Sequence, residues 1–422
     1  MLAEFRVSNF RSFKDEQVLN LVATCRESMN GNSRQVGGYH VLKTAAIYGA
    51  NASGKSNLIK ALSCMLDILK NSAGYKPGAK LPVEPFLFDE QTRKQPSSFE
   101  ATFFIDDVRH QYGFSASREK IHDEWLLVYP DGNRQTWFER WIDDDGQSQI
   151  RFGSFLKGAK ASLWSKVKDN SLFLSVAAQW NHKQLSDIYK RIDLNIGLFP
   201  DFKTARWLTD KLLFDSKQGR AKTGEALLSI IQEVDVGITG LDIEQVSENH
   251  VRTPDDHPTL DSLLRPHGPY SVTAYHGTQA GQPICPLSFD EESEGTRRFY
   301  SYLGPLLQSK VFAFTFFKDE LESSLHPLLT RRLLEAVKAS KDERVGAQLI
   351  FTTHDTTLLD PELLGRDQIW FTEKGPDGAT QLYSLADYKE IRKGEAMQKR
   401  YLAGRYGAIP IIERFDLSGA TK

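Results

Sequence analysis

One short segment constrains this chain more than any other. Gly49-Ala50-Asn51-Ala52-Ser53-Gly54-Lys55-Ser56 satisfies the spacing G-x-x-x-x-G-K-[ST] at every fixed position. The glycines let the backbone wrap so that successive N–H groups point inward at phosphate oxygens. Such a loop needs a strand before it and a helix after it. Thr44 to Tyr48 is an apolar run that reads as a buried strand. Leu58, Leu62, Met65, Leu66 and Leu69 fall on one face of a helix predicted from about Ser56 to Lys70. The N-terminus of that helix brings the positive end of its dipole to the same phosphates. Lys55 adds a point charge on the β and γ phosphates, and Ser56 offers a hydroxyl to Mg²⁺.

Two further strand ends carry chemistry. The apolar run Val311 to Phe317 leads, through Lys318, into Asp319-Glu320. Asp319 suits Mg²⁺ held through water opposite Ser56, and Glu320 suits orienting or deprotonating an attacking water. A second strand, Gln348 to Phe351, runs into Thr352-Thr353-His354-Asp355. Solvated acids and structural histidines at strand ends are common when they occur alone. Here one helix (about Leu328 to Ala339) fits between the two strands, so neighbouring parallel strands would bring His354 near a γ-phosphate. The joint occurrence with the glycine loop favours the chemical reading.

Composition narrows the setting. The 422 residues carry 53 Lys and Arg against 55 Asp and Glu, a net charge of −2, so any polyanion must be held by a local patch. Three scattered cysteines (Cys25, Cys64, Cys285) make neither a disulfide framework nor a zinc site, and a reducing, cytoplasmic setting fits best. The N-terminal stretch has no apolar signal region, and no apolar run approaches the ~20 residues of a membrane helix. No membrane association is expected.

Along the chain, residues 1–23 read as two short strands around Asn9-Phe10-Arg11-Ser12-Phe13, and 24–43 as a polar loop. Strand-like alternation from Leu81 to about Gln149, with Asp131-Gly132 and Asp145-Gly146 turns, predicts an antiparallel lobe. Residues 155–235 are helical by pattern, and 249–286 read as a long loop or irregular hairpin. Helices and strands then alternate from Glu294 to about Phe371, which favours a parallel sheet covered by helices. The expected domains are an N-terminal lobe (1–155), a helical insertion (156–240) and a C-terminal lobe (241–422).

With these motifs in order, the sequence resembles the ABC-type ATPase superfamily. Within it, the chain looks like the branch that holds chromosome-maintenance and recombination ATPases and those of the overcoming-lysogenisation-defect and abortive-infection type. The resemblance takes in Asn9 to Phe13, the phosphate loop, Glu292-Ser293-Glu294-Gly295-Thr296-Arg297-Arg298, Asp319 to Pro327, and Thr353-His354-Asp355. It implies an α/β P-loop NTPase fold of ABC-ATPase type: a mixed central sheet with an antiparallel β lobe and a helical insertion. The implied ligands are ATP and Mg²⁺, with Gly49, Asn51, Ser53, Gly54, Lys55, Ser56 and Asn57 on the nucleotide. Ser56 and Asp319 would serve the metal, and Glu320 and His354 catalysis. Arg11 to Phe13 lie where the family packs the adenine, so Arg11 is a nucleotide contact. Ser293, Gly295 and Thr296 fill the signature segment that reaches the γ-phosphate held by the other subunit of a head-to-tail homodimer. By themselves these residues better describe an ordinary helix start capped by Ser293, and their place shortly before the acidic strand turns the reading to the signature. Ser323-Ser324-Leu325-His326 occupies the D-loop position.

Two departures stand out. Lys318 replaces the usual aliphatic residue before the acid pair, and no glutamine loop is evident, Gln91 being the nearest candidate. Both point to slow or partner-dependent hydrolysis. By resemblance the role is the sensor or switch of a bacterial antiviral defence or nucleic-acid-surveillance system. A DNA-repair ATPase and a non-hydrolysing ATP-locked scaffold are the alternatives. The tail from Leu385 to Tyr406 carries six basic residues against three acids, interleaved with Tyr388, Tyr401 and Tyr406. A nucleic-acid contact through this patch is one reading, and a solvated amphipathic helix is the favoured one because acids are mixed in. The acids after Asp355 show no paired spacing at an apolar strand end, so the effector is expected to be a separately encoded protein. It would dock on the tail or on the helical stretch 155–235.

Overall fold

The computed structural model describes residues 1–29, 31–199, 201–220, 223–234, 237–246, 270–277, 285–308, 314–339, 346–388 and 396–410. These fall into two units. One is built from Met1–Gly197, Phe314–Leu321 and Gln348–Lys422, the other from Leu198–Ala313 and Glu322–Ala347.

The first unit contains two sheets. In the antiparallel lobe the strand order is Ser148–Phe152, Gln135–Ile142, Ile121–Tyr129, Val108–Ala116, Ser97–Ile105, Leu2–Ser8 and Gln17–Asn20. Its alternation is visible in Ser97–Ile105, where Phe99, Ala101 and Phe103 are buried and Ser98, Glu100 and Thr102 are not. The second sheet runs Ile196–Leu198, Phe314–Lys318, Ala347–Thr352, Thr44–Gly49, Ile369–Lys374 and Thr380–Ser384. Thr44–Gly49 is buried along its whole length and pairs in parallel with Ala347–Thr352 on one side and Ile369–Lys374 on the other. Buried on both faces, it reads as a continuous apolar run, as central parallel strands do. The helix Lys55–Asn71 follows the loop, and its Leu58, Leu62 and Met65 share one core with Phe99 and Phe114 of the lobe and Ile47, Phe317 and Ile350 of the second sheet.

Residues 24–43 are not the loop expected. They hold a short helix, Arg26–Met29, and a hairpin of Ser33–Val36 with Tyr39–Leu42. Gly37 and Gly38, at φ +53° and +82°, supply the left-handed turn that such a two-residue hairpin needs. The Gly-Gly signal was present, but the polar strands around it lack the apolar alternation that marks a buried face. Asp367 anchors the segment by accepting from the amides of Thr24 (2.8 Å) and Cys25 (2.9 Å).

The helices predicted across 155–235 form, and they divide between the units. Lys160–Trp164, Phe173–Gln179 and Lys183–Asn195 belong to the first, Phe202–Lys217 and Gly224–Val234 to the second. In the second unit Phe202–Lys217 packs on Glu294–Gln308 at Gly304. A Cβ there would lie 2.5 Å from the Thr209 nitrogen, and the Gly304 amide donates to Thr209 Oγ1 at 2.9 Å. A three-stranded antiparallel sheet (Ile238–Gln245, Tyr270–His276, Cys285–Ser288) and the helix Pro327–Ala339 complete that unit. Most of the irregular stretch expected at 249–286 lies outside the described residues. Among the described residues no helix is long and apolar enough to cross a membrane.

Candidate functional site

The phosphate loop leaves the buried strand at Gly49 and enters its helix at Lys55. Gly54 has φ +114°, and a Cβ on it would sit 2.3 Å from Thr380 Oγ1, so only glycine fits there. Ala52 also adopts a left-handed conformation, φ +63°, at the exposed loop tip beside Asn51. Ser53 is buried; its Oγ lies 2.6 Å from Thr372 Oγ1, and its carbonyl lies 2.8 Å from Thr380 Oγ1. The Lys55 ammonium is buried and donates to the carbonyls of Gly49 (2.7 Å) and Ala50 (3.1 Å). The loop therefore closes on its own cation, and triphosphate oxygens would take over those donors. No acidic residue occupies the first turn of the helix, so nothing cancels the field of its N-terminus. Ser56 and Asn57 are half-buried at that end.

The acid pair stands at the end of the strand next to Ala347–Thr352. Thr352 Oγ1 donates to Asp319 Oδ1 at 2.5 Å and accepts the Glu320 amide at 2.8 Å, while the Leu321 amide donates to the Thr352 carbonyl at 3.1 Å. Glu320 is held at φ +48°, a conformation a non-glycine residue rarely adopts and one that concentrates at functional sites. Its side chain is exposed. Thr352 pairs with Ile47 in parallel register, so His354 and Gly49 leave the sheet at the same level. The Thr353 amide donates to the Ile47 carbonyl at 3.1 Å, and Tyr48 Oη donates to the Asp355 carbonyl at 3.1 Å. Lys318 is half-buried at the strand end, so the chain accommodates this departure there.

The N-terminal turn reaches the same loop. Arg11 has φ +52°; its amide donates to the Glu84 carbonyl at 2.7 Å and its guanidinium to Glu84 Oε1 at 3.0 Å. Next to it, Ser12 Oγ accepts from Asn57 Nδ2 at 2.7 Å and the Ser12 carbonyl from the Thr380 amide at 2.7 Å. Buried Asn9 fixes the turn by donating to the Thr92 and Gln95 carbonyls (2.8 and 2.9 Å) and accepting from the Phe86 amide at 3.0 Å. Gln91 is exposed, in a turn capped by Asp89, whose carboxyl is held below its usual range by Lys14 and the turn amides.

The segment 293–296 belongs to the second unit. Ser293 Oγ accepts the Thr296 amide at 3.1 Å and lies 2.8 Å from Thr296 Oγ1, which is N-cap geometry for Glu294–Gln308. Ser293 is exposed, and a Cβ on Gly295 would meet only ordinary contacts, the nearest being Ser324 O at 3.5 Å. Ser324 Oγ donates to Glu294 Oε1 at 3.0 Å, which ties the D-loop position to this helix. His276 Nε2 lies 2.7 Å from Glu292 Oε1, just before Ser293.

Thr352, Thr372 and Thr380 are the site residues that sequence reading missed. Their small hydroxyls carry no spacing signal, and only strand pairing brings them to the loop. The tyrosines of the tail also behave differently from a stacking surface. Tyr401 and Tyr406 are buried, Tyr401 against Tyr48 (ring centroids 5.7 Å) and Phe371 (5.5 Å). Lys389, Arg392 and Lys393 lie outside the described residues.

In chemical terms, the ends of neighbouring strands in one sheet carry a phosphate cradle, a lysine, a serine hydroxyl, two carboxylates and an imidazole. This fits a nucleoside triphosphate with Mg²⁺. Among the described residues no three His, Cys, Asp or Glu side chains form a metal cluster, and Mg²⁺ bound to phosphates needs few protein ligands because it keeps its waters. Ser56 and Asp319 can hold it on that basis.

No curated protein matches the sequence. Similar solved structures include the SMC head domain from Thermotoga maritima (11% identity, 91% of this chain and 98% of that one, TM-score 0.42). Another is an Smc head bound to the C-winged helix domain of ScpA (15% identity, 91% and 97% coverage, TM-score 0.40). A third is an Smc head with an extended coiled coil bound to the C-terminal domain of ScpA derived from Pyrococcus furiosus (13% identity, 91% and 96% coverage, TM-score 0.36). A family model described as "AAA domain, putative AbiEii toxin, Type IV TA system" matches residues 45–360, from the strand before the phosphate loop to beyond His354, and the chain belongs to that family.

Proposed function

We propose that this chain is a Mg²⁺-dependent ATPase that works as a conformational switch, closing a head-to-tail homodimer when ATP binds. The observation that carries the reading is that three neighbouring strands of one sheet end together. The loop from Gly49, the pair Asp319–Glu320 and His354 end neighbouring strands, and Thr352 locks the acid pair to the histidine strand.

In this reading Lys55 and the loop amides bind the triphosphate. Asn57, Asn51, Ser53 and the Arg11 turn complete the nucleotide contacts. Ser56 and Asp319 would hold Mg²⁺, which when bound would supply neutralisation of the triphosphate charge. Glu320 takes a proton from the attacking water on its carboxylate oxygen, and His354 donates a hydrogen bond toward the γ-phosphate. The exposed Ser293 hydroxyl, with Gly295 allowing close approach, meets the γ-phosphate held by a second copy. Closure is driven by ATP binding the closed dimer more tightly than the open monomer.

The family description, which names a putative toxin of a Type IV TA system, supports a defence role. In our reading hydrolysis resets a sensor that acts through a separate effector. Light scattering of the purified chain with ATP and Mg²⁺, for the parent and Glu320→Gln, tests the switch. ATP-dependent dimer that persists in the variant and decays in the parent is the expected outcome. A monomer under every condition sinks the reading.

A further inference from the structure

Away from the phosphate loop, the first unit carries a cavity of about 380 Å³ lined by Lys157, Leu163, Trp180, His182, Lys183 and Gln184, among others. Its two walls, the 157–159 loop and the entry to the helix Lys183–Asn195, are bonded to each other. His182 is 7% exposed; its Nδ1 accepts the Leu185 amide at 3.3 Å, so its Nε2 carries the proton and donates to the Lys157 carbonyl at 2.8 Å. The Lys157 amide donates to Gln184 Oε1 at 2.8 Å, and Gln184 Nε2 to the Phe155 carbonyl at 3.3 Å. Gly158 sits at φ +93° with His182 Nε2 3.1 Å from where a Cβ would stand, so a side chain there would crowd the imidazole. The cavity is thus pre-formed rather than a gap between loose loops.

Its surroundings are locally basic. Residues 153–184 contain Lys157, Lys160, Lys166, Lys168 and Lys183 against a single acid, Asp169, in a protein of net charge −2. Large aromatic rings stand exposed among these lysines. Trp180 is 57% exposed and lines the cavity, with the Lys166 ammonium 4.1 Å from its ring centroid, and Phe155 is 49% exposed. Folding gains little from leaving an indole in water beside a cavity it could have filled. A planar ring stacked on Trp180 would recover that area, and phosphates on either side of it would meet Lys157 and Lys183.

We propose that this cavity is a binding site for single-stranded nucleic acid, taking one base against Trp180 and its flanking phosphates on Lys157 and Lys183. Both ligand features, a flat π face and closely spaced negative charges, belong to a nucleotide in a strand. The volume is large enough for one base with its sugar. The proposal is independent of the ATPase reading, since the cavity and the phosphate loop share no residue.

Fluorescence anisotropy of labelled 15-mer oligothymidylate and oligouridylate tests it on the full chain. Binding is expected at low salt, weakened roughly tenfold or more by Trp180→Ala and largely restored in Trp180→Phe. Lys183→Glu should lower affinity and reduce the slope of log affinity against log salt by about one. Lys55→Ala should bind the strand like the parent, which separates this site from nucleotide binding at the loop. Trp180 is exposed, so its substitution leaves the fold and the basal ATPase rate as controls. Absence of strand binding at low salt, binding indifferent to Trp180→Ala, equal binding of the duplex, or complete competition by free thymidine monophosphate would each overturn the proposal.

Discussion

Thr352 Oγ1 stands 2.5 Å from Asp319 Oδ1, and the same oxygen takes the Glu320 amide at 2.8 Å. One buried hydroxyl on the histidine-bearing strand therefore holds the Asp319 carboxylate and the Glu320 backbone, which sits in its left-handed conformation. Thr352→Val keeps the volume and loses both bonds. Turnover should fall on the order of 100-fold through misplacement of Glu320, with ATP affinity nearly unchanged. Thr352→Ser should restore most of the rate. Steady-state kinetics with a parallel melting curve separate this from instability: loss of rate only in proportion to loss of folded protein would make Thr352 a packing residue.

Lys55→Ala removes the cation that the loop encloses through the Gly49 and Ala50 carbonyls. Charge-assisted hydrogen bonds contribute about 1.5–3 kcal/mol, so ATP affinity should drop by at least tenfold. Isothermal titration reads this directly. Affinity within twofold of the parent would detach phosphate binding from this loop.

Glu320→Gln retains the shape and the backbone bond to Thr352 while removing the proton acceptor. Hydrolysis should fall by about 10²–10⁴ with ATP still bound. His354→Ala should slow turnover as well and spare binding. Single-turnover measurements check both, and normal turnover in Glu320→Gln would leave that carboxylate a solvated strand end.

Ser293→Arg places a bulky cation where the second copy's γ-phosphate would enter. ATP binding by the monomer should be unchanged and ATP-dependent dimerisation lost. Because Ser293 also caps its helix, a modest stability loss of about 1 kcal/mol accompanies the change. Ser293→Asp preserves the cap and should also impair dimerisation by charge repulsion. Dimer formation by both variants would reduce Ser293 to a cap.

A stability prediction comes from the antiparallel lobe. Glu124 is fully buried and accepts the amides of Phe173 (2.6 Å) and Leu174 (3.0 Å), and Arg140 lies 3.9 Å away while donating to the Ser171 carbonyl at 2.7 Å. Burial raises the Glu124 carboxyl above its ordinary range, and Arg140 pulls it back down. Arg140→Met leaves the charge without its partner and should cost about 3–5 kcal/mol near neutral pH. A carboxyl raised in the folded state contributes stability that is present in acid and lost as pH rises through the folded value. The deficit of Arg140→Met should therefore shrink as pH is lowered, and denaturant midpoints across pH would show it. A deficit independent of pH would assign the loss to packing alone.

Much of the site was legible in the residues themselves. A strand, a glycine loop, a lysine and a helix follow one another within one segment, so spacing alone specifies the phosphate cradle. Apolar runs ending in Asp319-Glu320 and in His354 announce strand ends because the change from buried to polar occurs along the chain. The antiparallel lobe was equally visible, since alternation is a local property. Tertiary structure decided what those ends do together. Thr352 meets Asp319 from 33 residues away. Thr380, 327 residues from Ser53, closes the loop from the far side, leaving room only for glycine at position 54. The tail tyrosines look like a stacking series until Tyr401 and Tyr406 turn inward onto Phe371. Trp180 carries no periodic signal of its own, and only the packing around it leaves it exposed beside a cavity that Lys157 and Lys183 help to line. Sequence periodicity reports which face of an element avoids water. It carries no record of which element lies opposite, because strand order and side-chain hydrogen bonds are set when distant segments pack.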